Sequence, residues 1–160
     1  IWNYRAYEER GFYKIIHSKT MMGVVVYPRY KGELANGVAV TKNIFNERKK
    51  GFYINVQANE ELVTNPNSLS IPEEIVVIEA ENRVDYVFQY IRYSNLTEDK
   101  QKVLNENQLN ELLKTLELID EHFKKVYIKR NGKNIAMEIE FKFTQNGKLH
   151  IKQVRPWIEC

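Results

Sequence analysis

The stretch EIEFKFTQNGKLHIKQVRPW, from Glu138 to Trp157, holds the residue types best suited to chemistry. Glu138 and Glu140 stand one residue apart, twelve residues separate Glu140 from Gln153, and Arg155 follows two positions later. A glutamate and a glutamine carbonyl are hard oxygen donors of the kind magnesium takes, one or two from protein and the rest from phosphates and water. Together they add one negative charge beside a crowd of phosphate anions. An arginine's planar fork can brace a phosphoryl group, and phosphoryl transfer asks mainly for positioning and charge neutralisation. The competing reading of the same residues is a solvated β-hairpin decorated with charged and amide pairs.

These side chains need a hairpin to bring them together. Asn146-Gly147 predicts one, because a two-residue type I′ turn requires positive φ at both central positions. With that loop Gln145 pairs with Lys148, Glu140 stands opposite Gln153, and Glu138 opposite Arg155. Period-two alternation then puts all four on one face, which turns apolar toward the loop at Leu149 and Ile151. Ile139, Phe141, Phe143 and Val154 form the opposite, core-facing side.

The rest of the chain supplies the frame. Tyr4 to Ile15 reads as a short surface helix with Tyr4, Tyr7, Phe12 and Ile15 roughly on one side. Strands are predicted at Gly23–Tyr27, stopped by Pro28, then at Val38–Thr41, over GFYINVQ from Gly51, over IVVIEA from Ile75, and over DYVFQYIRYS from Asp85. Glu60–Val63 reads as a turn of helix, and Pro72-Glu73-Glu74 as a short helical start. The longest helix is expected from Glu106 to Tyr127, capped by NENQ, with Leu109, Leu112, Leu113, Leu116, Ile119, Phe123 and Val126 as its buried stripe. This is an α+β domain with a largely antiparallel sheet, one long helix and short helices.

Bulk composition narrows the class. The 160 residues make a single domain with room for a real core. A net charge of +3 welcomes phosphate ligands, but no Lys/Arg block approaches a nucleic-acid footprint, so no nucleic-acid partner is expected. Arg48-Lys49-Lys50 reads as a charged turn before a strand. Cys160 is the lone cysteine, which fits a reducing, cytoplasmic setting, and no apolar run is long enough to span a membrane. The start at Ile1 reads as a piece of a longer protein.

Glu138-Ile139-Glu140-Phe141 and Gln153-Val154-Arg155-Pro156 resemble the closing hairpin of the PEP/pyruvate-binding domain, an ATP-grasp domain of the pyruvate, phosphate dikinase and phosphoenolpyruvate synthase family. Upstream, ANGVAVTKN is similar to that family's Gly-Val-x-x-Thr strand, and INVQANEELVTNP to the segment where a Gly-Glu leads into Leu-Val and a loop. The matches run in the family's order from Met22 to Pro156. This chain has Ala58-Asn59 where the family has glycine before the acid, and a hairpin turn one residue longer.

The resemblance implies the later lobe of an ATP-grasp domain that binds ATP and Mg2+. Glu140 and Gln153 would hold the metal and nucleotide, with Glu138 as a supporting acid and Arg155 on the transferring phosphoryl group. Glu60 would line the cleft, with Thr41 at the end of the strand beside it. The resemblance further implies two partners, a preceding lobe with the phosphate-holding lysine and arginine, and a swivelling phosphohistidine domain. His17, His122 and His150 read as structural, and the chain by itself is expected to show little turnover. The alternative function is a non-catalytic nucleotide-binding or scaffold lobe of the same fold.

Overall fold

In the computed structural model the described residues are 3–21, 23–24, 26, 31–63, 69–81, 85–98, 101–131 and 135–157. They form two α-helices, a 3-10 turn at His17–Lys19 and a six-stranded antiparallel sheet, an α+β architecture. Helix α1 spans Tyr4–Phe12, and strands β1 to β4 span Ala35–Val40, Gly51–Ala58, Glu73–Glu79 and Tyr86–Arg92. Helix α2 covers Glu106–Asn131, followed by β5 at Met137–Phe143 and β6 at Leu149–Pro156. The first four strands make a meander. The chain then crosses through α2, so that β5 enters beside β1 and the order becomes β4-β3-β2-β1-β5-β6.

Alternation in the strands divides the sheet into two faces. Ala39, Ile54, Ile75, Val77, Ile139, Phe141 and Phe143 form a core with Leu109, Leu112, Leu113 and Leu116 of α2. Each large apolar side chain buried there contributes about 1.5–3 kcal/mol. A capping box starts the helix. The Gln108 N–H donates to Asn105 Oδ1 at 2.9 Å while the Asn105 N–H donates to Gln108 Oε1 at 3.0 Å. The buried stripe is centred on the line through Leu109, Leu116 and Tyr127, which leaves Val126 exposed at its margin. Among the described residues no helix packs extensively on the opposite face.

Several expected elements are placed differently. Gly23, Val24 and Val26 are exposed and belong to no strand, while Met22, Val25 and Tyr27–Tyr30, with Pro28 among them, lie outside the described residues. Glu60–Val63 contains no helix: a turn ends at Glu60 and irregular chain follows it. Glu73 and Glu74 are strand residues, because the β-branched run after them extends back to pair Glu73 with Val56 and Glu74 with Asn55. Helix α1 ends at Phe12, and its apolar side stays exposed. Strand β1 begins three residues earlier than expected and stops at Val40, so Thr41 lies just beyond it.

Candidate functional site

The closing hairpin reaches the expected pairing by an unexpected route. Its loop is not a two-residue type I′ turn. The Gly147 N–H donates to the Thr144 carbonyl at 2.8 Å and the Thr144 N–H to the Lys148 carbonyl at 3.0 Å. Gly147 alone takes the positive φ, +74°, while Asn146 does not. This is a three-residue loop ending in a left-handed glycine. It shifts the register by one, so Phe143 pairs with Leu149 and Phe141 with Ile151. A β-bulge at Lys152 shifts it back, and beyond it Glu140 stands opposite Gln153 and Glu138 opposite Arg155. The two irregularities cancel. Between them, Leu149 and Ile151 move to the core side, where they pack with Phe143 and Phe141 rather than on the Glu140 face.

Glu138, Glu140, Gln153 and Arg155 therefore share the face away from α2, next to Val38 and Val40 of β1. Arg155 Nη2 donates to Glu138 Oε1 at 2.6 Å, and this bond raises the arginine's already high pKa. Among the described residues, no side-chain hydrogen bond or close ion pair engages Glu140 or the Gln153 amide. One carboxylate and one carboxamide, adjacent and uncommitted, suit a hard cation that keeps most of its shell in water and phosphate. No group of three or more His, Cys, Asp or Glu among the described residues could hold a metal alone.

Thr41 and Glu60 lie at opposite ends of the sheet. Thr41 follows the residue paired with Glu138, and its Oγ1 accepts from the Met137 N–H at 2.9 Å, closing the β1–β5 ladder. Glu60 follows β2 at the other end, where its Oε1 accepts from the Gly32 N–H at 2.7 Å. Each oxygen accepts from a backbone N–H of a neighbouring segment. Asn59 adopts φ +63°, the left-handed conformation that glycine enters most easily. Asparagine also tolerates this region, so the Ala58-Asn59 departure keeps a backbone that glycine could make.

A recess of about 20 Å³ lies beside Glu140, lined also by Asn36, Val38, Leu62, Val63 and Lys152. Lys142, on the same face, is buried and ion-paired with Glu33 at 2.5 Å. Burial pushes the Glu33 carboxyl up, but hydrogen bonds from Lys142 and Asn36 and the charges of Lys142 and Lys152 bring it below its usual value. The sequence reading passed over Lys142 and Lys152. A signal existed for Lys152, since the apolar residues Leu149, Ile151 and Val154 step by two and then by three, the spacing a bulge imposes. Gln57, which alternates with the apolar residues of β2, is buried, with Nε2 donating to Ser70 Oγ at 2.9 Å and to the Ile71 carbonyl at 3.0 Å. That burial depends on loops distant in sequence, so no local pattern marks it.

His17 Nδ1 accepts from Arg10 Nε at 3.1 Å and its ring stacks on Tyr7, His122 meets Phe123 edge-on, and His150 stands opposite Lys142. No protein-family model matches the chain, and no curated protein matches it significantly. Among the described residues no helix is long and apolar enough to cross a membrane.

Proposed function

We propose that this chain is the magnesium- and ATP-binding later lobe of an ATP-grasp phosphotransferase. In the intact protein a phosphoryl group would pass from ATP to a histidine on a separate swivelling domain. The observation that supports this best is the register that sets Glu140 opposite Gln153 and Glu138 opposite Arg155 on the face without α2. Glu140 and Gln153 would hold Mg2+, which supplies charge neutralisation across the phosphates when bound. Arg155 would exchange Glu138 for a phosphoryl oxygen. A half-exposed ion pair is worth at most about 1 kcal/mol, so that exchange is cheap. The lysine and arginine of a preceding lobe would complete the cleft.

Calorimetric titration with ATP, with and without magnesium, tests the reading. The expected result is magnesium-dependent binding that Glu140→Gln abolishes while the unfolding free energy stays within about 0.5 kcal/mol of its original value. Unchanged binding in that variant would contradict it. A non-catalytic lobe of the same fold is the second reading, favoured by the closure of Arg155 on Glu138 and of Glu60 on Gly32. It keeps nucleotide binding or docking and drops phosphoryl transfer.

A further inference from the structure

The recess beside Glu140 is shaped by a lysine as much as by the acid. On a regular hairpin with the Glu140–Gln153 pair, Lys152 would stand opposite Phe141 and share its core-facing side. The bulge prevents this. Ile151 takes the place opposite Phe141, and Lys152 becomes the extra residue of the strand. It lines the recess with Glu140, Asn36 and Val38, all on the face away from α2. Bulges re-aim a side chain in this way and recur beside functional sites.

The neighbouring cations are already committed. Lys142 is 5% exposed and held by Glu33, and Arg155 is closed on Glu138. Lys152 reaches Glu33 only as a longer-range charge, and among the described residues no close ion pair occupies it. The recess itself has room for only about one water-sized group beside Glu140 and Lys152, so a phosphate chain would lie at its mouth rather than inside it.

We propose that Lys152 anchors the phosphate chain of the nucleotide, its ammonium delivered by the bulge to the face where Glu140 and Gln153 hold magnesium. This rests on the magnesium–nucleotide reading above. The lysine is then a phosphate contact supplied by this lobe itself.

Titrations of Mg-ATP and of magnesium tripolyphosphate into the protein, Lys152→Gln, Lys152→Arg and Glu140→Gln test the assignment. Lys152→Gln is expected to weaken both ligands about tenfold, the loss of one charged hydrogen bond. Lys152→Arg should recover most of the affinity, and the thermal midpoint should not move. If Lys152→Gln leaves Kd unchanged while Glu140→Gln raises it, the lysine assignment is overturned and the magnesium site stands. If Lys152→Gln lowers the thermal midpoint and arginine restores no affinity, Lys152 is only a counter-charge to Glu33, and the assignment fails. If the unaltered protein binds neither ligand, the nucleotide reading fails and the lysine assignment with it.

Discussion

Asn59 and Glu140 show how differently single residues can matter in this sheet. Glu140 makes no side-chain hydrogen bond among the described residues, so its value to the fold is small and its place opposite Gln153 must be judged by binding. Asn59 is the reverse. Its φ of +63° sets the turn after β2, its N–H donates to the Leu34 carbonyl at 2.9 Å, and its carbonyl accepts from Asn36 Nδ2 at 2.9 Å. Only glycine and a few short polar residues enter that conformation readily. Asn59→Gly should therefore leave urea-induced unfolding nearly unchanged, while Asn59→Val should cost about 1–2 kcal/mol. Equal stability in the valine variant would show that the turn relaxes out of the left-handed region. Glu60, the next residue, is engaged by the Gly32 N–H.

At the scale of elements, close approach and burial set the demands. A Cβ on Gly37 would lie 2.4 Å from Phe141 Cζ and 2.9 Å from the Asn55 carbonyl, so β1 can sit between β2 and β5 only with glycine there. Gly37→Ala should destabilise by about 1–3 kcal/mol in denaturant unfolding, as overpacking does elsewhere, and an unchanged midpoint would contradict that packing. Glu73 on β3 is fully buried, with both oxygens 3.3 Å from the Val103 N–H that leads into α2. Burial pushes its carboxyl up to about 7 from the ordinary 4.5, and the Val103 N–H and the Lys102 charge only partly offset this. The folded state therefore holds an extra proton between those values. The stability that this proton contributes is complete below about pH 4.5 and is lost as pH rises through about 7, a change of about 3 kcal/mol. Glu73→Gln should flatten that slope, gaining stability relative to the parent at pH 8 and little at pH 5. Identical pH profiles would show that the carboxyl titrates normally. The hairpin was legible in part: the Asn-Gly signal located it and the far pairs came out as expected, but the loop type and the phase near the turn did not. Two irregularities of opposite sense cancelled, and only the broken alternation of Leu149, Ile151 and Val154 betrays them.

For the whole molecule, the α+β class, the antiparallel sheet and the dominant helix could be read from apolar periodicity and the NENQ cap, because each depends on local pattern. What could not be read depends on contacts distant in sequence. Glu73 and Glu74 join a strand because β2 lies beside them, and Gln57 is buried because loops around Ser70 and Ser94 close over it. The resulting sheet packs one face against α2 and carries the candidate site on the other. The most direct test is an amide NMR spectrum recorded with substoichiometric Mn2+ in place of Mg2+, in the presence of ATP. Paramagnetic broadening should be strongest at Glu140, Gln153 and the Gln153 side-chain amide, weaker at Glu138 and Arg155, and absent near α1. Uniform broadening, or broadening centred away from β5 and β6, would contradict a shared cation between those two strands.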